Sequence, residues 1–387
     1  MTRQHATWLL MALLVLLAGC DRTSATSPPT AADGGVIAAR LPRVVHSGGP
    51  ILRNPEITTV TFAGDSPAVV ARLERFGDTI ATTGWWHDVV DSYCLRAGDC
   101  IGDGRAGRHV RLAHPLPTLL SDTDIERLLA EEAQRGALTQ LGRDALVLVY
   151  LPPTVTLRDA SHSRYCARGP RAYHRTLRAA RVSFAYAVIP RCGDDDELTV
   201  TASHEILEAS TNPDPQRPGF RLDPGSNNGG FTAAGTEPAD PCGLVSEGRS
   251  VVEGGFAVQR AWSNRAARAG HDPCVPASAQ APYLALVPQT PTVRLAAPGA
   301  TATIRLDAAS DRDVAAAWAV SAIDLTGRQE SERYVEVQLD RQAVKAGESA
   351  VLSLRLLKLH PQQRAVVGVV STLGPHWHTW PIAISMR

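Results

Sequence analysis

The sequence predicts a mixed α/β (α+β) domain over residues 43–276, followed by an immunoglobulin-like β-sandwich over residues 292–387. Three observations predict it. In the first region β-branched runs alternate with helical periodicity, as in a core that layers helices on a sheet. Around Cys274 the texture changes to a Pro- and Ala-rich joint over residues 277–291. Beyond the joint, short strand-like segments recur between turn residues at regular intervals, the pattern of a sandwich of about a hundred residues.

Each element follows from its residues. Ile57 to Phe62 (ITTVTF) reads as a strand. Val69, Val70, Leu73, Phe76 and Ile80 recur at helical spacing and predict a helix over residues 66–82. Val110 to Leu112 is a short strand. Thr123 and Glu126 have capping-box spacing and open a helix through Ala137. Ala145 to Leu151 (ALVLVYL) is a buried strand stopped by Pro152-Pro153, and Val182 to Ile189 is another. The acidic run Asp194 to Glu197 suits the N-terminus of the next helix better than a calcium site. Asn212-Pro213 ends that helix, because the residue before proline avoids helical geometry. In the C-terminal region TVRLA, TATIRLDA, AAAWAVSAI, YVEVQLD, SAVLSLRLL, RAVVGVVST and TWPIAISM read as strands. His376 and His378 flank Trp377 there, and an ordinary terminal strand is the preferred reading over a binding surface.

The N-terminus bears on location. MTRQHATWLLMALLVLLAGC has a basic start, an apolar stretch too short for a comfortable membrane span, and small residues before Cys20. It resembles a bacterial lipobox. That resemblance implies a signal peptide over residues 1–19, a lipid on Cys20, and an extracytoplasmic protein anchored to a membrane. Residues 20–42, polar at first and rich in Ser, Thr, Pro and Gly, read as a flexible tether. Of seven cysteines, Cys20 is set aside. The remaining even number suits disulfides in an oxidising compartment. Sequential pairing is the economical choice among many: Cys94–Cys100, Cys166–Cys192 and Cys242–Cys274. The 39 Lys and Arg balance 39 Asp and Glu, which gives no argument for nucleic acid.

The chemistry concentrates in SHEILEASTNPDP, Ser203 to Pro215. His204 and Glu205 open an H-E-x-x-H pattern whose second histidine is replaced by Glu208. At i and i+4, His204 and Glu208 are neighbours that can meet one ion. Leu198, Ala202, Ile206 and Ala209 form an apolar stripe on roughly the opposite side. The same pattern describes a surface helix whose polar side faces water. Downstream come Glu237, Asp240 and Cys242, then Val258-Gln259-x-x-Trp262-Ser263-Asn264, then Cys274.

This series resembles the plant Exordium (phosphate-induced protein) family and its secreted bacterial relatives. The matches are His204-Glu205-x-x-Glu208-Ala209, Thr211-Asn212-Pro213, Glu237-x-x-Asp240-x-Cys242, the Val258 to Asn264 segment and Cys274. Gly48-Gly49-Pro50-Ile51-Leu52-x-Asn54-Pro55 matches the start of that domain, so the resemblance runs from Ser47 to Cys274. Two departures are Asn212, where aspartate is common, and Pro241, where an aliphatic residue is usual. The resemblance implies a zincin-like metallohydrolase domain, with His204 and Glu208 as metal ligands and Glu237 or Asp240 as the third. In H-E-x-x-H enzymes the residue at the position of Glu205 is the general base for metal-activated water.

The expected function is a zinc-dependent hydrolase acting on peptides or proteins. One imidazole and two carboxylates would neutralise a dication, so water at the ion would be less acidified than at a histidine-rich site. More oxygen ligands also admit manganese or calcium. The rival is a non-catalytic envelope protein with a structural metal. Other residues keep plainer readings: Trp85-Trp86 as packing, His271 as a surface histidine, and Asp223 to Gly235 as a connector. Tyr165, Tyr173 and His174 lie between Cys166 and Cys192, and one could stabilise an oxyanion, without a basis for choosing.

Overall fold

Isoleucine, threonine and valine fill Glu56–Phe62, and this strand, β1, lies inside a five-stranded sheet. The structure, a computed structural model, describes residues 34–387 apart from 114, 139–140, 160–162, 167–170, 180–181, 224, 226–228, 247–248, 280 and 328–331. The signal peptide, Cys20 and the tether to residue 33 lie outside the described residues. The other strands of the sheet are β2 (Arg105–Leu112), β3 (Ala145–Tyr150), β4 (Tyr173–Ala179) and β5 (Val182–Ile189). Their order is β2-β1-β3-β5-β4. The first four run parallel, and β4 pairs antiparallel with β5 at the edge. β3 is buried at every residue, as a strand covered on both faces must be.

Helices supply the cover. α1 (Gly34–Ala38), α2 (Pro67–Thr79) and α3 (Gly84–Val90) precede α4 (Asp122–Arg135). The helix expected over residues 66–82 tightens into a 3₁₀ turn at Ile80–Thr82. The capping box of α4 is Ser121 with Asp124, two residues before the expected pair. Ser121 offers the same spacing with both reciprocal bonds made: Ser121 N–H to Asp124 Oδ2 at 2.9 Å and Asp124 N–H to Ser121 Oγ at 3.3 Å.

α5 (Asp195–Thr211) carries the His204 motif. Asp194 caps it by accepting from Glu197 N–H. It packs on β3, β4 and β5, and on β6 (Ala257–Gln259). Twelve of its seventeen residues are buried, Glu205 and Glu208 among them. The surface-helix alternative is therefore excluded: this polar side faces protein. α6 (Asp240–Val245) and α7 (Asn264–Ala269) follow.

The C-terminal region is a β-sandwich. Its strands are β7 (Leu284–Pro288), β8 (Thr292–Arg294), β9 (Thr301–Ser310), β10 (Trp318–Asp324), β11 (Val335–Leu339), β12 (Ala343–Val344), β13 (Ser349–Leu356), β14 (Arg364–Leu373) and β15 (His376–Ser385). One sheet has the order β7-β9-β13-β11 and the other β8-β15-β14-β10-β12. This is the strand order of an immunoglobulin-type sandwich, with Trp318 buried on the strand where that fold keeps a tryptophan.

Two segment boundaries differ from expectation. The joint over 277–291 is not a free linker, because β7 lies in it and pairs with β9. Residues 34–42, read as tether, are packed: Ile37 and Leu41 are buried, and α1 lies against α7 and β9. Gly270 has a φ of 73° and would drive any Cβ into the Gly34 backbone, so only glycine lets the two segments touch. The described residues form one unit. Its core runs through both regions, with Phe231 edge-on to Trp262 at 5.6 Å and to Trp380 at 5.4 Å. Among the described residues no helix is long and apolar enough to cross a membrane.

Candidate metal centre

The three disulfides join Cys94 to Cys100, Cys166 to Cys192 and Cys242 to Cys274. The last holds α6, and with it Asp240, to the strand Cys274–Val275, which pairs with Ala261–Trp262. Asp240 and Glu237 grip each other through reciprocal bonds. Glu237 N–H donates to Asp240 Oδ2 at 3.1 Å, and Asp240 N–H donates to Glu237 O at 3.3 Å. Gly235 leaves room for the Asp240 carboxylate, which any Cβ there would strike.

On α5, His204 Nε2 lies 3.0 Å from Glu208 Oε2. Ligand atoms of His204, Glu208 and Asp240 lie within 4.8 Å of one another. Of the two carboxylates expected as third ligand, Asp240 lies with His204 in this set. Glu237 belongs to a second set with Glu208 and His174, also within 4.8 Å. The partner the sequence did not single out is His174, on edge strand β4. Its Nδ1 lies 3.0 Å from Glu205 Oε2, and its Nε2 lies 3.4 Å from Glu237 Oε1. Nothing in local spacing ties residue 174 to residue 204. The link is made by the β4–β5 pairing and by α5 crossing beneath it.

The surrounding residues fix orientations. Gln259 Nε2 donates to Ala239 O at 2.7 Å, which turns Oε1 toward His204 Nδ1 at 3.0 Å. His204 Nδ1 therefore carries a proton, and Nε2 faces Glu208. Gln259 N–H is itself held by Ser203 Oγ at 2.9 Å. Asn212 Nδ2 donates to Glu237 Oε1 at 2.8 Å, and Asn212 Oδ1 accepts from Phe220 N–H at 2.9 Å. An aspartate at 212 would set a second carboxylate against Glu237, so the asparagine suits this chain.

Four carboxylates and two imidazoles share this buried space. Burial opposes charge on His204, yet Glu208, Glu205 and Asp240 outweigh it and lift the imidazole to about 10. Burial, the neighbouring acids and the pull of His204 leave Glu208 raised and Asp240 raised to about 6. Burial also opposes charge on His174, but Glu205 and Glu237 raise it well above the usual imidazole value. For Glu237 the hydrogen bonds from His174 and Asn212 overcome burial and hold it below the ordinary range. A cation bound among these groups would displace protons from them. Within the cluster, the buried Glu208 Oε1 has no hydrogen-bond partner among the described residues, and His174 Nε2 has only the 3.4 Å approach of Glu237 Oε1. His204 and Glu237 keep side-chain exposures of 22% and 26%, so the cluster is reachable from solvent.

Other residues sit elsewhere. His271 bonds Asp311 at 3.0 Å, outside the cluster. His378 is buried and reaches Asp272 at 3.2 Å, so it ties the sandwich to the first region rather than lining a binding surface. Phe231, in the stretch read as a connector, packs edge-on against Trp262 and Trp380. Trp85 and Trp86 are buried, as expected for packing. A cavity of about 810 Å³ between β2 and α4 contains none of the site residues.

No family model matches the chain, and no curated protein matches it. Solved structures do. Domains 4 and 5 of the S-layer protein SbsC match at 9% identity and TM-score 0.20, over 27% of this chain and 53% of that one. The titin M3 domain matches at 8% identity and TM-score 0.18, over 27% of this chain and 94% of that one. The Bacteroides ovatus GH5 xyloglucanase matches at 12% identity and TM-score 0.18, over 28% and 19%. This chain spans about half of the SbsC fragment it matches. At these scores the matches carry no argument about function, and the chain stands as a mixed α+β protein with a β-sandwich.

Proposed function

We propose that this protein is a metal-dependent hydrolase with a zincin-like domain, acting on peptides or proteins outside the cytoplasm and anchored through a lipid on Cys20. The single observation that carries the reading is the convergence of ligand atoms of His204, Glu208 and Asp240 within 4.8 Å, with one oxygen of the buried Glu208, Oε1, left without a hydrogen-bond partner among the described residues. A divalent cation fits that donor set, since buried carboxylates without a counter-charge are costly. Zinc suits one imidazole with carboxylates, and the oxygen-rich set also accepts manganese or calcium.

When bound, the ion polarises a scissile carbonyl and makes water more acidic. The chain's own residues do the rest. Gln259 holds His204 in the tautomer that turns Nε2 inward. Glu205 Oε2 is engaged by His174, which leaves Oε1 as the oxygen that takes a proton from water and passes it to the leaving amine. The position of Glu205 in the H-E-x-x-H pattern supports the same assignment. Edge strand β4 lies beside the site, and an extended peptide can pair with such an edge. Three disulfides support an oxidising compartment.

The test is Glu205→Gln in the purified chain, assayed on a peptide mixture with and without chelator. The variant should keep the ion at His204, Glu208 and Asp240 and lose hydrolysis by about 10²-fold or more. A wild-type chain that holds under about 0.1 equivalent of any divalent metal, or hydrolysis indifferent to chelator, would overturn the proposal.

A further inference from the structure

His204 and Asp240 account for one side of Glu208. On the other side stand His174 and Glu237, with ligand atoms within 4.8 Å of each other and of Glu208. The two histidines are prepared in the same way. His204 Nδ1 is held by Gln259 Oε1 at 3.0 Å, and its Nε2 faces Glu208 at 3.0 Å. His174 Nδ1 is held by Glu205 Oε2 at 3.0 Å, and its Nε2 faces Glu237 at 3.4 Å. Fixing one ring nitrogen with an acceptor so that the other is free is how proteins present histidine to a metal.

His174 is 5% exposed and Glu208 3% exposed. Yet Glu208 Oε1 has no hydrogen-bond partner among the described residues, while Glu208 Oε2 is occupied by His204. His174 Nε2 has only the 3.4 Å approach of Glu237 Oε1. A single ion at His204, Glu208 and Asp240 leaves His174 and Glu237 without a part in the site. Charge points the same way. Glu205, Glu208, Glu237 and Asp240 bring four negative charges when both imidazoles are neutral. One divalent ion leaves two of them uncompensated in a largely buried space; two divalent ions balance all four.

Building on the metal-hydrolase reading, we propose that the cluster binds two divalent cations that share Glu208 as a bridging carboxylate. One ion takes His204 and Asp240, and the other takes His174 and Glu237. Glu205 positions His174 as Gln259 positions His204. The ligand is a pair of zinc- or manganese-class ions of the kind that act together on one substrate oxygen at a spacing of about 3.5–4 Å. Replacement of the second histidine of H-E-x-x-H by Glu208 then has a reason. An imidazole nitrogen serves one ion, whereas a carboxylate can serve two.

The experiment strips the purified full chain with chelator, reloads it with Zn²⁺, and counts metal per chain after desalting. Parallel samples loaded with Mn²⁺ are read by electron paramagnetic resonance. The wild type should retain about two equivalents and show an exchange-coupled manganese signal. His174→Gln should retain about one equivalent and lose the coupling, and Asp240→Asn should do the same from the other side. Glu205→Gln should weaken the second equivalent about 10- to 100-fold, the usual effect of losing an orienting partner. Circular dichroism confirms that each variant is folded, and a variant that fails is replaced by its counterpart on the same ion, Glu237→Gln or His204→Gln. A wild type saturating at one equivalent overturns the pair while leaving the hydrolase reading intact. Binding below about 0.1 equivalent overturns both.

Discussion

Gln259 touches no substrate in the proposed site, yet it decides which nitrogen of His204 is available. Its Nε2 is committed to Ala239 O at 2.7 Å, so its Oε1 must accept from His204 Nδ1 at 3.0 Å. Gln259→Ala removes the acceptor and lets the imidazole turn or change tautomer. Loss of such a partner typically weakens metal binding about 10- to 100-fold, or about 1.4–2.7 kcal/mol at 1.36 kcal/mol per tenfold. The metal-free chain loses two side-chain hydrogen bonds, at about 1 kcal/mol each. His204 keeps a side-chain exposure of 22%, so water partly replaces its lost acceptor and the stability cost falls at the lower end. Titration calorimetry with Zn²⁺ measures the affinity, and a thermal melt of the stripped protein measures the stability. A folded Gln259→Ala chain that binds zinc within about twofold of wild type would refute the reasoning.

Three further outcomes follow from the same coordinates. Asn212→Asp sets a carboxylate against Glu237 Oε1, now 2.8 Å from the Asn212 amide. The stripped protein should lose about 1–3 kcal/mol, and saturating Zn²⁺ should recover most of it; equal melting temperatures without metal would count against this. Asp272 is held below the usual carboxylate range because hydrogen bonds and charge from His378 and Arg260 overcome its burial. A depressed carboxylate adds stability that is present above its unfolded pKa of about 3.9 and is lost as pH falls through the lower folded value. Thermal melts from pH 7 to about pH 2 should therefore show an acid loss that is smaller in Asp272→Asn. Trp380→Ala opens a cavity beside Phe231 and should cost about 3–5 kcal/mol. Because the core is shared, both regions should melt together, and a separate transition with an unaltered first region would refute the shared core.

The elements were legible where pattern and environment agree. β3 reads as a strand because a β-branched, apolar run ended by two prolines fits a doubly covered parallel strand. The sandwich strands were legible because turns punctuate them. α5 was legible as a helix but not as a buried one. Its polar face looks like a solvated face until β4 and β6 cover it, and no local signal reports that cover. His204 and Glu208 share one motif with fixed spacing, so sequence brings those two together, while the third place stays open between Glu237 and Asp240. His174 shares no motif with them, since strand register alone carries it to Glu205. The linker and tether readings failed for a related reason. Small and proline-rich segments look unstructured, yet Leu284–Pro288 finds a pairing partner in β9, and Ile37 finds a core to enter.

The shared core changes what the sandwich is for. Glu237 and Asp240 lie on a short stretch whose own contacts are few: a turn, one disulfide at Cys242 and the six-residue helix α6. Short helices are marginal without tertiary support. That support comes from the sandwich. α6 lies against β15, Phe231 just upstream is wedged on Trp380, and any Cβ at Gly230 would strike the Pro381 backbone. On the other side, Gln259 binds Ala239 O, and Asn212 binds Glu237. The carboxylates are thus gripped between α5 with its neighbours and the last strand of the chain. A carboxylate pair held on one side only would repel itself apart when stripped of cations. Held on both sides, it keeps its spacing, which is what the proposed metal centre requires. The sandwich is best understood as the outer wall of the centre rather than as a module appended to it.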